Sequence, residues 1–121
     1  MTVHYYTPME FTHQGASWVP QYTALKDVHW GSPAEVERIG RDFDKVQAWS
    51  KAHDRPVLLG EFGAYDKGDM PSRVRYTSAV ARAAEARGWA WDYWQFDSDF
   101  IVYDIKADAW VAPIHDALVP Q

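Results

Sequence analysis

Pro56-Val57-Leu58-Leu59-Gly60-Glu61 is a run of six residues, apolar except for its last member and preceded by the polar His53-Asp54-Arg55. A run this short does not make a helix, and its unbroken apolar character fits a strand covered on both faces, as in a parallel sheet. Helices are predicted on either side of it. Upstream, Ser32-Pro33-Ala34-Glu35 is a capping box with proline at the first helical position, and Val36, Ile39, Phe43, Val46 and Trp49 recur at helical spacing, which predicts a helix to about Ala52. Downstream, a polar loop from Tyr65 to Pro71 leads into a second helix on which Val74, Thr77, Val80, Ala81 and Ala84 face one way. Further out lie two more strand-like segments, Thr2-Val3-His4-Tyr5-Tyr6, ended by Thr7-Pro8, and Trp89-Ala90-Trp91-Asp92-Tyr93-Trp94-Gln95. Met9 to Gly31 shows no sustained period and reads as a long loop, a feature uncommon without a functional reason. The tail reads as a small hairpin, Ile101 to Tyr103 with Ala109 to Val111, and a short helix from Pro113 to about Leu118.

This alternation predicts an α/β fold over residues 1–121, a single domain of about three βα units with parallel strands and right-handed crossovers. Three parallel strands leave two open edges and an uncovered face, so the chain is either a small α/β domain or a sector of a larger barrel. Period-two parity places His4 and Tyr6, then Val57, Leu59 and Glu61, then Ala90, Asp92 and Trp94 on the inner face, with Val3, Tyr5, Leu58, Trp89, Trp91 and Tyr93 toward the helices. Val57, Leu59, Ala90 and Trp94 would then meet water, and self-association into a homo-oligomer is expected to cover them.

Composition bounds the partners. The 47% apolar content supports one core. With 17 acidic against 12 basic residues the formal charge is −5, and no basic stripe exists to meet a phosphate backbone, so nucleic acid is not an expected partner. No apolar stretch approaches the roughly 20 residues that cross a bilayer, and Met1 leads into a strand instead of a signal segment. There is no cysteine, and the five histidines lack ligand spacing, so neither a metal nor another cofactor is expected. What stands out is an aromatic share of 16%, with seven tryptophans. Indoles serve packing more often than recognition, but the polar and aromatic residues here gather at the C-terminal ends of the strands, where parallel α/β folds build their sites.

Three strings at those ends carry a resemblance: His4-Tyr5-Tyr6, then Pro56-Val57-Leu58-Leu59-Gly60-Glu61-Phe62-Gly63, then Trp91-Asp92-Tyr93-Trp94-Gln95-Phe96. In order and approximate spacing they resemble the sixth, seventh and eighth strands of the β-glycanases of glycoside hydrolase family 5. Phe11 to Trp18 looks like the loop after strand six in one bacterial branch of that family. The resemblance implies a partial TIM barrel and a retaining endo-β-1,4-glucanase, or cellulase, of secreted type, acting on β-glucan or cello-oligosaccharide. It implies Glu61 as nucleophile, Tyr6 hydrogen-bonded to it with His4 alongside, and Trp94 as a platform beneath the sugar, with Trp18 and Gln95 as further sugar contacts. The residue types suit the chemistry, since an ionised carboxylate must be oriented to attack and an indole face stacks on the apolar face of a pyranose.

One part of the pattern is absent. A retaining glycosidase needs a second carboxyl group about 5–5.5 Å from the first, which in the family belongs to an Asn-Glu-Pro motif, and this sequence contains no asparagine. Glu10, Asp92, Asp97 and Asp99 match no family acid. Two expectations follow: a glucanase that carries the nucleophile without its acid/base, completed if at all by a complementing barrel fragment, or a catalytically inert sub-barrel that self-associates or only binds glucan.

Overall fold

The computed structural model describes residues 1–121, with strands β1 (Thr2–Tyr5), β2 (Leu58–Phe62) and β3 (Ala90–Trp91) forming a parallel sheet in the order β1-β2-β3. Helices α1 (Met9–Thr12) and α2 (Pro33–His53) separate β1 from β2, and α3 (Met70–Glu85) separates β2 from β3. A two-stranded antiparallel hairpin, β4 (Tyr103–Asp104) with β5 (Ala109–Trp110), and helix α4 (Ala112–Leu118) complete the chain. The expected alternation is therefore present. The capping box of α2 is formed in both directions, the Ser32 hydroxyl accepting from the Glu35 amide and the Glu35 carboxylate from the Ser32 amide. Asp69 caps α3 by accepting from the Ser72 amide.

The core lies on one side of the sheet. Ile39 and Phe43 of α2, Tyr76, Val80, Ala81 and Ala84 of α3, and Ile114 and Leu118 of α4 pack against Tyr5, Leu59, Phe62 and Trp89. The other side of the sheet is open, with Thr2, His4, Ala90, Asp92 and Trp94 exposed. Within the segment read as featureless loop, α1 is a single turn that begins after a cis Thr7–Pro8 bond, too short to leave a period in the sequence. Its Phe11 is fully buried between Trp30 and Tyr76.

Parity in β2 differs from the sequence expectation, and a bulge is the reason. Val3 pairs with Leu59 and His4 with Glu61, so Gly60 is an extra residue in β2. The insertion sends Leu59 and Phe62 to the helix side, both fully buried, and turns Glu61 to the open side beside His4. Val57 and Leu59 are thus core residues, at 8% and 0% exposure, and not the water-facing pair on which the expected self-association was based. Leu58, expected toward the helices, pairs with Thr2 and Ala90 on the open side instead. The third strand is shorter than expected: its regular ladder covers Ala90–Trp91 only, while single bonds from Asp92 N to Leu59 O (2.8 Å) and Trp94 N to Phe62 O (2.9 Å) carry it on to the site.

The glycines bracketing Glu61 mark where its neighbours close in. A Cβ on Gly60 would overlap Thr2 Cγ2, and one on Gly63 would overlap the Trp94 carbonyl oxygen. Gly60→Ala should therefore destabilise the fold by about 1–3 kcal/mol, the usual cost of overpacking. Thr2→Gly in the same chain should recover most of that loss. Urea denaturation of the two single variants and the double variant measures the coupling, and strictly additive effects would place the strain elsewhere.

Candidate active site

Glu61 emerges at the C-terminal end of β2, its side chain 30% exposed, and two groups from the end of β1 meet the same oxygen of its carboxylate. The Tyr6 hydroxyl donates to Oε2 at 3.0 Å, and His4 Nδ1 lies 3.4 Å from it. Burial, and after it the neighbouring Glu61 carboxylate, push the Tyr6 phenol far above its ordinary value, so it remains a protonated donor throughout the useful pH range.

A cleft of about 300 Å³ opens above this pair. Trp94 and Gln95, at the end of the third strand, and Trp18, from the loop after β1, line it. Both indoles face water, Trp94 at 42% and Trp18 at 49% exposure. The structure therefore brings Tyr6, Glu61, Trp94, Gln95 and Trp18 into one cleft, while His4 touches Glu61 from outside the cleft lining.

Four further residues line the cleft that sequence reasoning did not single out as site residues: His13, Ser98, Asp99 and Phe100. Phe100 is buried, its ring centroid 5.9 Å from Tyr6, 5.4 Å from His13 and 6.4 Å from Trp18. His13 is fixed by a relay. Thr12 Oγ1 donates its only proton to the Tyr6 carbonyl at 2.7 Å, so His13 Nδ1, 2.9 Å from that hydroxyl, must be the donor to it. The neutral ring thus carries its hydrogen on Nδ1. The available sequence signal was the polar triplet Thr12-His13-Gln14 in an aromatic segment, which can be buried only if each member finds partners.

Comparison with known proteins fits this geometry. The family model Cellulase (glycosyl hydrolase family 5) matches residues 1–100. The chain belongs to glycosyl hydrolase family 5. Its curated relatives include Endoglucanase H of Acetivibrio thermocellus, 31% identical over 123 aligned residues that take in 97% of this chain and 12% of that protein. Among solved structures, Cel5A of Thermotoga maritima in complex with cellobiose superposes with a TM-score of 0.95 at 44% identity, over 98% of this chain and 38% of that one. The same enzyme in complex with mannotriose gives a TM-score of 0.94. The chain thus spans well under half the length of these family 5 relatives, and its fold is a three-strand sector of their TIM barrel. The three strings that resemble family 5 are the ones that supply Tyr6, Glu61, Trp94 and Gln95 to the cleft.

Burial holds the His13 imidazole below its ordinary value of 6.5. A histidine kept neutral in the fold contributes stability that is present above pH 6.5 and is lost as pH falls from there toward its depressed folded value, because the unfolded chain takes up the proton first. The urea midpoint should therefore drop between neutral pH and about pH 5. In His13→Phe that part of the slope should disappear; an equally steep slope in the variant would assign it to another histidine.

Proposed function

We propose that Glu61 is the nucleophile of a retaining endo-β-1,4-glucanase site, and that these 121 residues supply no acid/base to accompany it. The observation that carries this reading is the 3.0 Å bond from Tyr6 to Glu61 at the floor of a cleft walled by the exposed Trp94. Such a bond orients a carboxylate, and an exposed indole offers the apolar surface on which a pyranose stacks. His4 steadies the same oxygen, while Gln95 and Trp18 extend the sugar-binding surface. Structures of Cel5A with cellobiose and with mannotriose support an oligosaccharide ligand, and the endoglucanase relatives support β-glucan or cello-oligosaccharide. The only other carboxylate lining the cleft is Asp99, which has no counterpart in the Asn-Glu-Pro motif.

The open edges of β1 and β3 present unpaired backbone groups, which favours pairing with a complementing barrel fragment or with a second copy of the chain. With Val57 and Leu59 buried, strand edges and the exposed Trp94 drive this association more than an apolar face does.

A nucleophile without its acid can expel only a good leaving group. A cellobioside of a strongly acidic phenol should therefore release that phenol in a burst, followed by slow turnover as the glycosyl-enzyme waits for a base. Mass spectrometry should find the adduct on Glu61, Glu61→Ala should abolish the burst, and azide should speed turnover. Absence of both burst and adduct would favour an inert sub-barrel that only binds glucan. Rapid Glu61-dependent hydrolysis of cellulose itself would instead show that Asp99 or a neighbouring chain supplies the acid.

A further inference from the structure

The sheet does not by itself place Tyr6. β1 ends at Tyr5, whose ladder partner is Phe62, and Tyr6 lies one residue beyond that last pair. A segment that has left the ladder opens easily unless other groups hold it. The Tyr6 hydroxyl nevertheless reaches Glu61 Oε2 at 3.0 Å. That is the upper end of the range for an O–H···O bond, so a retreat of about 0.5 Å at the strand end would lose it.

Two hydroxyls from different parts of the fold hold this segment. Tyr76 of α3 donates to the Tyr5 carbonyl at 3.2 Å, and Thr12 of α1 donates to the next carbonyl, that of Tyr6, at 2.7 Å. Both side chains are fully buried, and each is itself immobilised. The Tyr76 ring sits against Phe11 and Trp30, with centroids 5.6 and 5.2 Å away. Trp30 is tied back to the same helix, its amide donating to Ser72 Oγ and its carbonyl accepting from Arg75. The Thr12 hydroxyl oxygen accepts from His13 Nδ1, and the Thr12 carbonyl accepts from the Tyr65 amide at 2.9 Å. Phenylalanine would fill the Tyr76 cage, and valine the Thr12 site, with no polar group to bury. What the hydroxyls add is a hold on two successive carbonyls.

We propose that Tyr76 and Thr12 are positioning residues for the active site, their hydroxyls gripping successive carbonyls at the end of β1 and so setting the reach of the Tyr6 phenol to Glu61. Their effect on catalysis rests on Glu61 being the nucleophile; their effect on Tyr6 does not. Tyr76→Phe and Thr12→Val each remove one hydroxyl and keep the rest of the side-chain volume. Thr12→Ser keeps the hydroxyl.

The probe is a dinitrophenyl 2-deoxy-2-fluorocellobioside, from which dinitrophenolate leaves with the bonding electrons as the Glu61 carboxylate forms the ester, so no acid is needed. In the 121-residue chain each deletion should slow the chemical step of labelling by roughly tenfold, with little change in the dissociation constant of the probe. Thr12→Ser should stay close to the parent. In a Tyr6→Phe background neither deletion should slow labelling further, since no phenol remains to be positioned, whereas a merely structural role would slow it equally there. An independent readout is the Cζ resonance of Tyr6 in tyrosine-labelled protein, identified by its loss in Tyr6→Phe. It should shift in both deletions and hold its parent position in Thr12→Ser. A parent-like labelling rate or an unmoved Tyr6 signal in the folded deletions, or an equal slowing in the Tyr6→Phe background, overturns the proposal. If the parent chain is not labelled, the nucleophile assignment falls and the Tyr6 signal alone decides the role of the two hydroxyls. If one deletion fails to fold, the other decides it; if neither folds, the hydroxyls serve the fold and not the site, and the proposal fails.

Discussion

The site depends on one extra residue. Gly60 interrupts the period of β2, and without that interruption Glu61 and Leu59 would share a face while Phe62 would leave the core. With it, Leu59 and Phe62 both anchor β2 to the helices, and Glu61 turns to the side where His4 and Tyr6 can reach it. Glycine suits this position because the side chain of Thr2, on the paired strand β1, occupies the space a Cβ would need. Gly63 meets the same condition on the other flank, where the Trp94 carbonyl occupies that space. The Gly60-Glu61-Phe62-Gly63 sequence is thus the local imprint of two neighbouring strands pressed against the ends of the carboxylate's segment.

Much of this fold was legible, and the failures have definite causes. The capping box and the spacing of Ile39 and Phe43 located α2 to within a residue or two, because caps and amphipathic faces are local. The strand order and the gathering of Tyr6, Glu61 and Trp94 at one end also followed, since a run of alternating βα units admits few topologies. The facing of Leu58 and Leu59 did not, because parity counts residues and cannot see a bulge. Trp49, at a helical-face position, is 39% exposed and stacks on His53 outside the core, so periodicity overstated the width of the buried stripe. Phe100 was missed for a related reason: the rings it packs against, Tyr6 and His13, are distant in sequence, and no local pattern encodes that.

Stability and chemistry occupy opposite sides of the sheet. The helix side is a dry aromatic core in which Phe43 packs on Tyr5 and Trp89, and Tyr76 on Phe11 and Trp30, with ring centroids 5.0–5.6 Å apart. Even Tyr76, fully buried, spends its hydroxyl on the Tyr5 carbonyl at the end of β1. That bond fixes the strand end from which Tyr6 reaches Glu61. The core thus stabilises the sector and also sets the position of the phenol on the far side.

The irregular segment between β1 and α2 shows how such a site can be held without regular structure. Gln14 is 1% exposed and takes the place of a strand partner, donating to the Phe11 and Val28 carbonyls and accepting from the Val28 amide. Thr12 and His13 are buried in the same turn, with Thr12 bonded to the Tyr6 carbonyl and its own carbonyl accepting from the Tyr65 amide. A loop of this length loses conformational entropy on ordering, which neutral side-chain hydrogen bonds to the backbone offset. The Thr12 relay ties the end of β1, the loop carrying Trp18 and the segment beyond Glu61 into one unit. The contacts that orient Glu61 therefore come from within this sector, from β1 braced by its own loop, and so persist in a chain that spans only 38% of the Cel5A barrel.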